Sequence, residues 1–467
     1  MTQTTGRPVA PVRSAAPVTR PAPGASPPGP ATTTIGRQAR PGRIQGLART
    51  LFQGSPGRLR LAGMLAIAVC LVFGALSAAA FQARSTALAN ADADAAQLIR
   101  VQQITTEVVR ADSLLTATFP SPEKETAEQV DAFNQALKNA AQLVAQAAAA
   151  NPADGDHLAA VSDALGQYRQ YATSARIYNK LHDQSALGYL RQAGTALRGG
   201  GGGNPNLITG NGMLPALNKL IAANSQRVKD AYAASGWATW EMIGADLVAL
   251  AGLGWVQVWL ARRTRRYLNL PLVAASAGVL AVGLAGLVVM TAAQSRATTV
   301  RDTSYTAFTA LADARIAANT AKSDASISFL YLRTGGSALS YETEFMTAAA
   351  LVQQRVDTAG SAVGTTNVGH DFSTWRGEAE KVFQTSTENW PTVAAAMADP
   401  AQPFNVSFQA VDDSLRRGIE QQARAVDVGL GTGDLTLRVL AWLAVGVGLV
   451  SAVLAWAGIA QRLEDYR

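Results

Sequence analysis

Four long apolar stretches constrain this chain more than any other feature. They run roughly from Leu61 to Phe81, Met242 to Ala261, Leu270 to Ala293 and Val439 to Ala460. Each reaches the length of about 20 apolar residues that a helix needs to cross the hydrocarbon of a bilayer. An unpaired backbone group is too costly there for any other open structure, so each stretch is expected to cross as a helix. The chain therefore reads as an all-α membrane protein with four transmembrane helices and both termini on one side.

Arginine sets the side. Nine arginines and no acidic residue precede the first span, and the short segment between the second and third spans is RRTRRY, from Arg262 to Tyr267. By the positive-inside rule these segments are cytoplasmic and the two long polar inserts are extracellular. The net charge of +7 then belongs mainly to the inner face, where it meets anionic headgroups. It is not the mark of a nucleic-acid partner. Ala78, Ala79 and Ala80 resemble a signal-peptidase site, but the polar region before the span is far longer than a signal n-region, so the span is expected to be an uncleaved anchor.

The first 45 residues are rich in Pro, Ala, Thr and Arg, with PAPGASPPGP from Pro21 to Pro30, and cannot bury enough surface to offset the entropy of ordering. The inserts are different. Apolar residues recur three and four apart, as in Leu98, Val101, Ile104, Val108, Ala111 and Leu115, and breakers are spaced well apart. In the first insert the helix leaving the membrane should break at Phe119 to Pro122. Helices should follow at about Glu123 to Ala150, Gly155 to His182 and Ala186 to Arg198, the last resuming near Met213 after the glycine run from Gly199 to Gly203. In the second insert, helices are expected from about Gln294 to Arg333, Ser337 to Ala359, Phe372 to Ala398 and Phe404 to Val428, with breaks at Gly360 to Gly369 and at Asp399 to Pro403.

The organisation expected is thus a disordered basic cytoplasmic tail at 1–59; transmembrane helices at 60–82, 239–261, 269–293 and 437–460; extracellular antiparallel four-helix bundles at 83–238 and 294–436; a cytoplasmic loop at 262–268; and a cytoplasmic C-terminus at 461–467. An internal duplication is expected from matched offsets. Arg84 and Arg296 lie 212 apart, as do Asp112 and Asp324, while Arg263 with Tyr267 and Arg462 with Tyr466 repeat one motif at a separation of 199.

Enzyme chemistry is not expected, and no metal or cofactor is implied. His157, His182 and His370 stand apart from any metal-ligand spacing, and the glycine run follows a helix and lacks the lysine of a phosphate loop. Cys70, alone and within a span, leaves the inserts without disulfides. Three groups of residues stand out. Arg262, Arg263, Arg265, Arg266, Tyr267, Arg462 and Tyr466 form a candidate cytoplasmic output surface. Glu241 and Asp246, just inside a span whose ends Trp237, Trp240, Trp255 and Trp259 mark, form a candidate membrane-interface switch. Arg100, Arg110 and Lys322 are candidate anion anchors in the bundles.

The duplicated plan, ALGYLRQAGTAL from Ala186 to Leu197, MLPALNKL from Met213 to Leu220 and the ending QRLEDYR resemble the actinobacterial GlnX-type membrane signalling proteins from about Arg58 onward. That resemblance implies a relay of amino-acid availability. An extracellular solute-binding lipoprotein of the GlnH type would be the input and the cytosolic Ser/Thr kinase PknG the output, reached directly or indirectly. It transfers no ligand residues. The lipid bilayer is the remaining partner, and a homodimer is left open. Two alternatives stand beside the relay: a direct small-ligand receptor with chemoreceptor-like bundles, and a transporter accessory or membrane scaffold.

Overall fold

A single helix of 64 residues, α1 (Ser55–Thr118), carries the chain from the first apolar stretch into the first insert without a break. The computed structural model describes residues 55–199, 212–264, 269–333, 339–360, 366–385, 389–431 and 434–464, and among them every regular element is helical. Four of these helices are long and apolar enough to cross a membrane: Gly57–Thr118, Met213–Arg262, Leu270–Leu330 and Leu435–Gln461. Helix α1 starts at Ser55, so Ser55 to Leu59, expected in the tail, are helical. The rest of that tail lies outside the described residues.

Local chemistry ends each helix where it stops. Beyond Thr118 two prolines remove backbone donors, and a short 3-10 turn, Pro122–Lys124, leads into α2 (Ala127–Ala150). Thr126 caps α2 reciprocally: its Oγ1 accepts from Gln129 N at 3.2 Å while Gln129 Oε1 accepts from Thr126 N at 2.9 Å. Asn151 closes α2, and a second 3-10 turn, Pro152–Asp154, leads into α3 (Gly155–Lys180), followed by α4 (Ser185–Arg198) and α5 (Met213–Thr264). Helix α4 ends at Gly199, whose φ of 86° disfavours any side chain. A Cβ on Gly212 would collide with the Gly199 backbone. Helix α5 therefore resumes close to where α4 stops, and residues 200–211 between them lie outside the described residues.

Helix α6 (Leu270–Val300) is joined to α7 (Thr306–Arg333) through a five-residue π segment, Arg301–Tyr305. Such a segment is wound more widely than an α-helix, with i→i+5 backbone bonds, and the Thr306 hydroxyl donates to Arg301 O at 2.9 Å. The expected helix from Gln294 to Arg333 is therefore continuous in path but not uniformly α. Helices α8 (Leu339–Ala359), α9 (Thr366–Thr385), α10 (Trp390–Ala398), α11 (Pro403–Gly431) and α12 (Asp434–Glu464) complete the chain. The single helix expected from Phe372 to Ala398 is two helices. Asn389 caps α10 and Pro391 occupies its first turn, where the missing N–H costs nothing. Residues 366–369, expected in a break, belong to α9.

Three layers of packing follow. In the apolar layer Cys70 and Phe73 of α1, Leu253 and Val256 of α5, Leu272 and Val279 of α6 and Ala455 of α12 share one core. The first helical unit packs α1 to α5 around Val108, Phe133, Tyr168 and Leu217. The second packs α7 to α11 around Trp375, which meets Phe345, Phe372, Phe404 and Phe408 at centroid separations of 5.2–5.9 Å. Alanine fills much of both cores and brings backbones close, so the units join along α1 and α7.

Candidate functional site between the two helical units

Helices α1 and α7 run side by side, and several of their facing side chains are polar. Ser113 Oγ donates to Asn319 Oδ1 at 3.1 Å, Thr116 Oγ1 meets Ser323 Oγ at 3.3 Å, and Ser323 Oγ donates to Asp112 Oδ2 at 2.9 Å. Asp112 is the hub of this seam. Arg198, the last residue of α4, places Nη2 at 2.6 Å from Asp112 Oδ2 and 3.3 Å from Ser323 Oγ. Tyr168 of α3 donates its hydroxyl to Asp112 Oδ1 at 3.2 Å. The Asp112 and Arg198 side chains are only 3% and 7% exposed, so water does little to screen the pair. Burial disfavours the Arg198 cation, yet Asp112 and Asp324 raise its pKa above the ordinary arginine value. Burial, reinforced by Asp112, holds the Tyr168 phenol well above its usual range.

A second charged contact secures the second unit. Arg315 of α7 grips Asp412 of α11 with Nε on Oδ1 and Nη2 on Oδ2, both at 2.7 Å. This fork is the strong, planar form of the pair. In the first unit Asp154 accepts from Gln97, Asn224 and Arg227, tying α1 and α5 to the turn that precedes α3. Burial would raise its pKa, but those hydrogen bonds outweigh it and the carboxyl stays below the usual range.

Beside the seam a cavity of ≈ 680 Å³ opens between the units. Thr105, Val109, Arg198, Leu214 and Ile221 line it from the first unit, and Asp313, Ile316, Asp324, Leu351 and Arg355 from the second. It falls in the size range of pockets that hold small organic ligands.

The candidate anion anchors are not brought together in this cavity. Arg100 reaches Gln97 at 3.5 Å and Arg110 pairs with Glu107 of its own helix at 3.7 Å. Lys322 is buried, its Nζ 4.4 Å from the centroid of the Phe408 ring. It sits about 29 residues past the end of the third apolar stretch, roughly 40 Å along the helix. Burial lowers its pKa from 10.5 to about 8, with Asp412 opposing and Arg110 adding to the shift. The fold thus prefers the neutral amine. Above pH 10.5 the lysine carries no ionisation penalty; the penalty grows as pH falls toward 8 and is constant below that, at about 3 kcal/mol. Lys322→Met is expected to raise thermal stability at pH 7 and to remove the part of the stability change that wild type shows between pH 8 and 10.5. Parallel pH–stability curves for the two proteins would show that this lysine is not the source.

At the membrane level Glu241 is exposed and accepts from Trp237 Nε1 at 2.9 Å, whereas Asp246 is half-buried with its carboxylate against Gly283 of α6. Asp246 Oδ1 is buried without a hydrogen-bond partner among the described residues. Of the proposed output residues, Arg262 is exposed and Arg263 and Arg462 lie on helices, their side chains outside the described residues. Arg265, Arg266, Tyr267 and Tyr466 lie outside the described residues altogether. Arg198 was not singled out in the sequence. A basic residue before a glycine at a helix end ordinarily complements the helix dipole, and only its burial against Asp112 reveals its role here.

A family model described as "Actinobacterial sensor domain" matches residues 85–233, the polar part of α1 through the first part of α5. No curated protein and no solved structure matches the chain. The match assigns a sensing role to the unit that holds Asp112, Tyr168 and Arg198, in a chain with four helices apolar enough for a membrane.

Proposed function

We propose that this protein relays an extracellular signal through the membrane to a separate cytosolic protein, with the seam between the two helical units as its switch. The observation that carries the reading is α1: one helix spans from the first apolar stretch to Asp112 in the seam, so a shift of one end displaces the other. Switching of this kind needs two packings with different affinity for the input. Interfaces built from interlocking side chains move between discrete positions, which suits the role.

By the positive-inside rule the arginine-rich tail and the RRTRRY loop support a cytoplasmic side for both termini and that loop; in this reading the units lie outside as bundles related by duplication. Asp112 and Asp324, the pair 212 apart, both lie buried close to Arg198. The resemblance to GlnX-type proteins supplies the finer identities: an amino-acid-binding lipoprotein docking outside and a Ser/Thr kinase receiving the output inside. Reversing the charge of Arg262, Arg263, Arg265 and Arg266 is expected to abolish output while leaving binding outside intact. Output that persisted in a variant of verified orientation would remove that loop from the relay. The cavity favours a second reading, in which the units bind a small ligand directly.

A further inference from the structure

A second cavity, of ≈ 290 Å³, opens between α1 and α2 of the first unit and α7 and α11 of the second. It lies at the lower edge of the size range of small-ligand pockets. Four glutamines line it, Gln102 and Gln103 from α1 and Gln142 and Gln146 from α2, and none of their carboxamides hydrogen-bonds within the described residues. Gln102 stands out among them. It is only 2% exposed and its Oε1 is buried without a donor, a costly state for a polar group. Every charged side chain at the cavity, by contrast, already faces a counterion. Arg315 is forked onto Asp412, Arg416 lies 3.1 Å from Asp413 and 3.3 Å from Glu420, and Glu107 lies 3.7 Å from Arg110. Leu143 of α2, Phe308 of α7 and Ile419 of α11 add apolar surface to the lining.

We infer that this cavity binds a small neutral polyhydroxylated ring, a monosaccharide or cyclitol, held by the glutamine carboxamides. A carboxamide presents donors at one end and an acceptor at the other, and a hydroxyl is both at once, so the two match in either orientation. Turning the Gln102 amide over about its last bond, a torsion with two broad wells, exchanges Oε1 and Nε2. It therefore serves a hydroxyl of either sense. Charged ligands are not selected, because each would leave water for a cavity in which every opposite charge is already compensated. A sugar ring also carries C–H faces, for which Leu143 and Ile419 supply apolar contact. The walls come from both units, so the occupant binds best when they are packed together. The site is separate from the cavity beside Arg198, and it does not depend on the relay reading.

The test uses the full chain in nanodiscs, because many detergents are themselves glycosides. D-glucose, D-galactose, D-mannose, myo-inositol and N-acetyl-D-glucosamine are each titrated by calorimetry, with acetate and butylammonium as charged probes. Saturable binding of at least one ring compound with a Kd below about 1 mM is expected, and none of acetate or butylammonium. Gln102→Leu keeps the side-chain bulk and removes both hydrogen-bonding ends, so it should weaken that compound about tenfold without lowering the unfolding midpoint. Gln146 is exposed, so Gln146→Leu keeps the fold and should also weaken binding. No saturable binding of any ring compound, equal binding of a charged probe, or affinity unchanged in both glutamine variants would each overturn the proposal.

Discussion

Replacing Asp112 by alanine is expected to destabilise the helical units by about 3–5 kcal/mol, the usual cost of stranding one member of a buried ion pair. Three groups lose their acceptor together: Arg198 Nη2, the Tyr168 hydroxyl and Ser323 Oγ. The guanidinium suffers most, because its side chain is 7% exposed and water cannot replace the carboxylate. The double variant Asp112→Leu with Arg198→Met should be less damaging than the sum of the two single changes, since removing both charges removes the penalty of leaving either one alone. Thermal unfolding of the full chain followed by circular dichroism would measure both. At about 2–4 °C per kcal/mol for a unit of this size, Asp112→Ala should lower the midpoint by roughly 10 °C. A midpoint within 2 °C of wild type would mean that the seam does not hold the units together.

The second large effect is expected where α1 crosses α12. A Cβ on Gly448 would lie 2.9 Å from Gly74 Cα and 3.0 Å from Cys70 O, and one on Gly74 would lie 3.1 Å from Ala444 O. The two backbones are therefore in contact, the arrangement by which small residues drive helix association in lipid. Leucine at position 448 must push the helices apart. Cys70 reports the event, since it is the only cysteine and is fully buried at this crossing. Gly448→Leu is expected to increase labelling of Cys70 by a membrane-permeant maleimide at least tenfold, with wild type nearly inert. Gly446→Leu is the control: a Cβ there meets nothing within 4 Å, so labelling should stay at the wild-type level. Equal labelling of the two variants would place the crossing elsewhere.

Those two glycines show where sequence reading stops. Gly446 and Gly448 sit two residues apart in the same alanine-rich span, and nothing local separates them; one faces α1 and the other does not, which depends on the rotation of α12 about its own axis. The same holds for charge. Arg100, Arg110 and Lys322 stand out as lone cations in amphipathic helices, whereas Arg198 looks like an ordinary helix-ending residue. Yet Arg198 forms the buried pair and Lys322 packs against an aromatic ring. The π segment at Arg301–Tyr305 also escaped notice, since it leaves the apolar period nearly intact. Pro391 did carry a local signal for the split between α9 and α10, but tolerance of proline in a first turn lets a helix stop and restart around it.

By itself the sequence determined that the chain is helical, that four segments suit a bilayer, and where most helices in the inserts begin and end. Those properties follow from hydropathy, proline, glycine and capping side chains acting over a few residues. Tertiary structure alone decided that α1 and α7 pair through a polar seam, that Asp112 and Arg198 meet 86 residues apart, and that a cavity opens beside them. The reason is physical: burial and ion pairing depend on which helix faces rotate toward each other, and that choice is made by packing between segments distant in the chain.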